Sequence, residues 1–333
     1  MRSVYIIILL LAQSALSFAD AYKLSADPWN ALYAHDLSSV AWSPDGKQIA
    51  FVATTTHLDE HSPVMWVDSA AIWLLDAKST SPVLKKLVKL PTKSPSTNIP
   101  VGMFWLDNNR LGWAASLGFA KCGFFCISLQ DKNPKTLVNK KFISSPNQRT
   151  DQGDYGGFDD VYWDAGSQSI LFTGSNDTPY SMLRILHLPD EKLREFRIDD
   201  AKWFLHLSAS LSNPKKLTFF VTTGGGIWES NSYSLEKENF PVERSTQGDC
   251  IFPRLSPDGK LLAWMQTPGS YDNTFTLYVK DLKSGKSKRL AEFYAYCFGG
   301  NPALGCPYSW SPDSTSIAYA DSLMIKIVKA AVQ

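Results

Sequence analysis

The stretch Trp42-Ser43-Pro44-Asp45-Gly46-Lys47-Gln48-Ile49-Ala50-Phe51 decides the fold. It returns as Leu255-Ser256-Pro257-Asp258-Gly259-Lys260-Leu261-Leu262-Ala263-Trp264. A third copy reads Trp310-Ser311-Pro312-Asp313-Ser314-Thr315-Ser316-Ile317-Ala318-Tyr319. Weaker copies fill the gaps: Trp163 to Phe172 keeps the spacing, while Trp105 to Leu111 and Leu211 to Leu217 are one residue shorter. Self-similarity of this kind marks a repeat architecture. In each strong copy Pro presets φ, Asp bonds the nearby backbone and Gly accepts φ > 0, so the centre is a tight turn. One strand ends at the aromatic or Leu before the turn. A β-rich run such as Ile49 to Ala53 follows it. A third apolar run (Ala71 to Asp76, Phe124 to Leu129) and a more polar fourth (Leu84 to Leu90, Leu193 to Ile198) complete the unit. Four short strands in each of six copies, with almost no helical periodicity, predict an all-β fold, a six-bladed β-propeller of four-stranded blades. The last copy runs out of chain near Gln333 before a fourth strand. The mature N-terminus, Tyr22-Lys23-Leu24-Ser25-Ala26, is expected to supply it and close the ring.

The segment before the repeats reads as a leader. Met1-Arg2 is a cationic start, Val4 to Ala12 is an apolar run, and Ala19-Asp20-Ala21 fits an A-x-A cleavage site. The apolar run is nearer about 10 residues than the about 20 that span a bilayer. Residues 1–21 are therefore expected to be a signal peptide and 22–333 a single propeller domain, periplasmic or secreted and not membrane-spanning after signal removal. At 333 residues the length alone suggests two domains. The repeat overrides that prior, since residues 22–333 divide into six units of about 52. Lys+Arg 33 against Asp+Glu 32 gives a net charge of +1, which argues against nucleic acid as a partner. Trp is abundant at 11, and Trp42, Trp105, Trp163 and Trp310 share one repeat position, where they should pack between blades.

Ser-Pro-Asp-Gly-Lys-x-Ile/Leu-Ala-aromatic resembles the repeat of TolB-type β-propellers. It is also similar to the propeller of the prolyl oligopeptidase and dipeptidyl peptidase family. The resemblance covers roughly residues 22–333 and implies the fold, because one fold hosts many activities. It departs from both families. There is no room before the first repeat for the α/β domain that TolB carries. No Gly-x-Ser-x-Gly nucleophile elbow is present for a hydrolase.

Export permits disulfides, and the 5 Cys allow several pairings. Cys297 with Cys306 and Cys122 with Cys126 are the candidates, leaving Cys250 over. His57-Leu58-Asp59-Glu60-His61 matches the H-x-x-E-H string of inverted zinc peptidases. That chemistry needs a helix, whereas this string sits between two strands, so it reads as a solvated loop. Asp151, Asp154, Asp159 and Asp160 surround Tyr155-Gly156-Gly157 without the spacing of a Ca²⁺ loop, and read as a polar connector. Gly224-Gly225-Gly226 reads as a turn. No cofactor and no catalytic residue is expected.

Alternation along each blade puts the tight first-to-second turns on one face of the disk. The other face collects long connections, read here as Thr54 to Ser69, Ser175 to Tyr180, Thr222 to Asn231, Thr267 to Asn273 and others. Rigid scaffolds carry function on such loops. The candidate binding residues there are His57, Asp59, His61, Trp66, Asp154, Tyr155, Asp177, Tyr180, Trp228, Tyr271, Asp272 and Tyr294. Aromatic and carboxylate side chains around a channel mouth suit a protein or peptide partner in the cell envelope, or a carbohydrate. The expected function is a non-catalytic protein- or ligand-binding module. The alternatives are a metal-assisted hydrolase or lyase using the same face, and the propeller relic of a prolyl oligopeptidase-type peptidase.

Overall fold

The computed structural model describes residues 33–58, 65–78, 84–90, 100–116, 121–138, 142–143, 160–174, 181–198, 204–207, 216–223, 227–234, 242–247, 250–266, 274–294, 305–321 and 324–332. Every regular element among them is a β-strand, and every pairing is antiparallel. The first sheet runs β1 (Tyr33–Trp42), β2 (Gln48–Leu58), β3 (Met65–Asp76), β4 (Leu84–Leu90). The second runs β5 (Pro100–Trp105), β6 (Arg110–Ser116), β7 (Lys121–Ser128). Its fourth position is split into β8 (Lys135–Thr136) and β9 (Phe142–Ile143), both on β7. The third is β10 (Asp160–Asp164), β11 (Ser169–Gly174), β12 (Ser181–His187), β13 (Lys192–Ile198). The fourth is β14 (Phe204–Leu207), β15 (Lys216–Thr223), β16 (Ile227–Ser234), β17 (Val242–Gln247). The fifth is β18 (Cys250–Leu255), β19 (Leu261–Gln266), β20 (Thr274–Asp281), β21 (Ser287–Tyr294). A last sheet has only three strands, β22 (Tyr308–Trp310), β23 (Ser316–Asp321) and β24 (Met324–Lys329).

The described residues thus hold five complete four-stranded blades rather than the six expected, plus one three-stranded sheet. The N-terminal strand expected to complete that sheet lies outside the described residues. First strands of successive sheets touch in turn, β1 to β5, β5 to β10, β10 to β14 and β14 to β18, and β22 returns to β1. This is a propeller ring.

The turn chemistry is as the sequence implies. Ser43 Oγ donates to Asp45 Oδ1 (2.8 Å), and Lys47 N–H donates to the same oxygen (3.1 Å). Gln48 N–H donates to Ser43 Oγ (2.9 Å). The Ser256-Asp258 and Ser311-Asp313 turns repeat these bonds. Gly46 and Gly259 sit at φ 69° and 71°, the left-handed region that glycine enters without steric cost. Ser314 takes the same place at φ 62°, and its Oγ accepts a hydrogen bond from Asp258 N–H of the neighbouring turn (3.1 Å).

Side chains interdigitate between sheets. Ala41, Val52 and Ile72 of the first sheet pack with Trp105, Leu111 and Trp113 of the second. Phe104 and Phe124 meet Val161 and Phe172 of the third. Leu37, Ile49 and Phe51 meet Ala318, Ala320 and Ile325 of the last sheet, which closes the ring by apolar burial. Ile49 and Phe51 are fully buried, each worth about 1.5–3 kcal/mol relative to exposure.

Two loop expectations are corrected. Thr54 to Ser69 is mostly ladder: β2 runs to Leu58 and β3 starts at Met65, with 59–64 outside the described residues. In Thr222 to Asn231 the described residues, 222–223 and 227–231, are likewise strand. The β-branched and aromatic residues there favour a pleated surface, and polar neighbours do not prevent them from joining a ladder. In the fourth sheet the first strand is described as ending at Leu207, paired with Phe219, and Leu211 falls outside the described residues. Among the described residues, no helix is long and apolar enough to cross a membrane.

Candidate functional site

The first strands of successive sheets face one another, and residues of five of them line a cavity of about 260 Å³. Among the described residues its wall comes from β1, β5, β10, β18 and β22 and from Pro44 and Pro257 of the tight turns. The cavity therefore reaches toward the tight-turn face, not toward the loop-rich face on which the sequence placed a site.

Asp160 and Arg254 dominate its electrostatics. Asp160 opens β10, and Arg254 lies near the end of β18, two blades away. Their side chains meet bidentately, Nη1 to Oδ2 and Nη2 to Oδ1, both 2.6 Å. Asp160 is 3% exposed and also accepts from Val161 N–H (2.9 Å). Burial disfavours the Arg254 charge, but the Asp160 carboxylate more than offsets it and holds the guanidinium firmly protonated. The guanidinium also lies over the Phe252 ring at 5.8 Å. The arrangement is a strut across the channel, with each charge consumed by the other.

Tyr308 and Cys306 stand beside it. The buried Tyr308 hydroxyl reaches the carbonyls of Phe252 and Ala263, the second at 3.0 Å. Burial pushes its pKa well above the usual phenol range. Burial also pushes the Cys306 thiol up to about 11, against the pull of Arg254. Cys306 Sγ donates to Tyr308 O at 3.2 Å. Both groups stay protonated at neutral pH.

Two of the four cysteines expected to form disulfides, Cys306 and Cys126, carry free thiols. The expected partner of Cys306, Cys297, lies outside the described residues. Cys122 and Cys126 share strand β7, and four residues of extended chain put their Cα atoms about 13 Å apart. A disulfide needs less than about 7 Å.

Of the candidate binding residues, His57 lies in β2 directly opposite Trp66 of β3. Trp228 lies in β16 between Thr222 and Thr246. Tyr294 ends β21, is 39% exposed, and its N–H donates to Asp321 Oδ1 (3.0 Å). Asp59, His61, Asp154, Tyr155, Asp177, Tyr180, Tyr271 and Asp272 lie outside the described residues; among the four described candidates, the β2–β3 ladder sets His57 opposite Trp66. Sequence reasoning missed the Asp160–Arg254 pair, having taken Asp160 for part of a connector. A signal was present: Asp160 stands three residues before the Trp163 anchor and Arg254 one before the Leu255 anchor. The other described repeats carry uncharged residues at those offsets.

The repeat Trp residues sit where expected. Trp105 and Trp310 pack in the layers between blades, and Trp42 and Trp163 lean on theirs. Trp105 Nε1 donates to Ala41 O of the preceding sheet (3.1 Å), and Trp310 Nε1 to Arg254 O of its own predecessor (3.0 Å).

No family model and no curated protein matches the chain. Among solved structures, a protein assigned as TolB from Agrobacterium tumefaciens superposes with a TM-score of 0.55 at 14% identity, covering 89% of this chain and 91% of that one. An oligogalacturonate lyase in complex with manganese superposes with a TM-score of 0.51 at 12% identity, covering 90% and 91%. Likeness at such identities carries the fold alone, and with the ring described above it makes this chain a β-propeller similar in architecture to TolB.

Proposed function

We propose that this chain is an exported, non-catalytic β-propeller that acts as a binding module. The observation that carries this reading is the state of the ionisable groups around the central cavity. Arg254 and Asp160 neutralise each other, and Tyr308 and Cys306 are held in their protonated forms. A nucleophile or general base needs the opposite tuning, toward the reactive form near neutral pH. The leader-like residues 1–21 support export, and the TolB likeness favours the periplasm and a protein partner. The docking surface in this reading is the loop-rich face, with the twelve candidate residues from His57 to Tyr294. Residues 22–333, purified as one domain, should turn over no peptide, ester or glycoside panel and should retain a defined envelope protein on a column. Hydrolysis that depends on one loop residue would sink the proposal.

A second reading is metal-assisted lyase or hydrolase chemistry through His57, Asp59 and His61. It draws on the manganese-bound lyase among the similar structures and on the β2–β3 ladder, which sets His57 opposite Trp66 at the far end of the hairpin. Metal analysis of the purified protein tests it. No stoichiometric metal, with unchanged function in His57→Ala/His61→Ala, removes it.

A further inference from the structure

One position recurs just after the third strand of a blade. The backbone N–H there donates to a carbonyl beside the tight turn of the same sheet: Ala77 to Lys47, Leu129 to Asn109, Leu188 to Gln168 and Ala330 to Thr315. Ala77, Leu129 and Leu188 pack onto apolar clusters, and Ala330 is fully buried. In the fifth sheet the bond is kept, from Leu282 N–H to Lys260 O (3.0 Å), but the side chain is left 45% exposed. It is the most exposed large apolar side chain among the described residues. Its surroundings are basic. Lys283, Lys286 and Lys288 share its hairpin and are exposed. Lys288 Nζ donates to Ala331 O (3.0 Å), which sets it beside the exposed Lys329 at the end of β24. None of these four lysines pairs with a carboxylate among the described residues, whereas Lys260 and Arg289 are taken up by Asp258 and Glu292. Asp281, at the base of the hairpin, accepts instead from Ser284 N–H (2.7 Å). The corresponding turns elsewhere are mixed in charge, with Asp131 before Lys132 and Asp190-Glu191 before Lys192.

An exposed leucine or a few surface lysines are each ordinary. Together, an apolar tip ringed by unpaired ammonium groups matches a bilayer interface, where acyl chains lie beneath anionic headgroups. The lysine stems can lie along apolar surface while their charges stay with the headgroups. A soluble polyanion would engage the lysines and leave Leu282 in water. We infer that the tip of the β20–β21 hairpin docks on an anionic bilayer surface, with Leu282 entering the interface and Lys283, Lys286, Lys288 and Lys329 against the headgroups. The tip lies on the tight-turn face, so this docking leaves the loop-rich face to a partner and does not depend on the binding-module reading.

The test is cosedimentation of the mature chain with lipid vesicles, the leader being left off because its apolar run would itself enter lipid. Saturable binding is expected to vesicles of equal parts phosphatidylglycerol and phosphatidylcholine, at least about tenfold tighter than to pure phosphatidylcholine. Raising salt from about 0.1 M to about 1 M, which shortens the screening length from about 10 Å to about 3 Å, should weaken it. Each lysine near an anionic surface contributes about fivefold, so Lys283→Ala/Lys286→Ala should weaken binding at least about tenfold with circular dichroism unchanged. Lys329→Ala, on a different strand, should cost about fivefold and serves if the double variant does not fold. Leu282→Ser keeps the charge and should cost about three- to tenfold. Equal binding to neutral and anionic vesicles overturns the proposal. So does unchanged binding in the folded lysine variants, or in Leu282→Ser, the last being the result for a surface that takes any soluble polyanion. None of these variants touches the loop-rich face, so the partner column tests the binding-module reading separately.

Discussion

Arg254→Met is the most informative single change. The methionine keeps much of the apolar stem but removes both 2.6 Å bonds to Asp160. Asp160 is then a carboxylate 3% exposed that keeps its bond from Val161 N–H but has lost the guanidinium counter-charge. Removing one partner of a buried ion pair typically costs about 3–5 kcal/mol, because the other charge is stranded. For a chain of this size each kcal/mol lowers Tm by about 2 °C, so the expected loss is about 6–10 °C. Differential scanning calorimetry at pH 7 reads it, with urea unfolding as the check. The double variant Asp160→Asn/Arg254→Met should recover much of the loss, since no net charge is left buried. The reasoning fails if Arg254→Met shifts Tm by under 2 °C, or if the double variant is as unstable as the two single variants combined.

Three further outcomes follow from local geometry. At Asp45 and Asp258 burial pushes the carboxyl up, but hydrogen bonds from the turn outweigh it; at Asp313 the bond from Ser311 leads; all three end below the usual carboxylate range. A lowered folded pKa gives stability that is present above about pH 4 and lost as pH falls through the folded value, so the urea midpoint should drop below pH 4 and drop less in Asp45→Asn/Asp258→Asn/Asp313→Asn. Equal pH slopes in the two proteins would refute this. Gly285→Ala and Gly46→Ala both force alanine to φ near 70°, at about 1–2 kcal/mol, but only at Gly46 does the new Cβ press on Pro312 Cγ, at 3.3 Å. Chemical denaturation should rank Gly46→Ala as the costlier, and the reverse order would be inconsistent with the packing. With its thiol at about 11, Cys306 should react with iodoacetamide at pH 8 roughly 200-fold more slowly than in the unfolded chain, and mass spectrometry of native labelling within a few-fold of unfolded would contradict it.

Local chemistry was legible in the sequence. Ser43-Pro44-Asp45-Gly46 specifies its turn through bonds among neighbours, and Trp42 pairs with Ile49 as the spacing implies. The same holds at Trp163 with Ile170, Leu255 with Leu262, and Trp310 with Ile317. Strand ends at Gly174 and Gln266 also fall where the reading put them. Strand extent was less legible around Thr54 and Trp228, because a polar residue in a ladder looks like a polar residue in a loop.

The sequence alone determined the repeat, the turn geometry and the propeller class, because each depends on contacts a few residues apart. Tertiary structure alone decided the rest. It joined Asp160 to Arg254 across 94 residues, left Cys126 and Cys306 as free thiols, and placed five repeat anchors around one cavity. These features exist only where separate strands are brought together by closing the ring, and no local pattern encodes which of them will face each other.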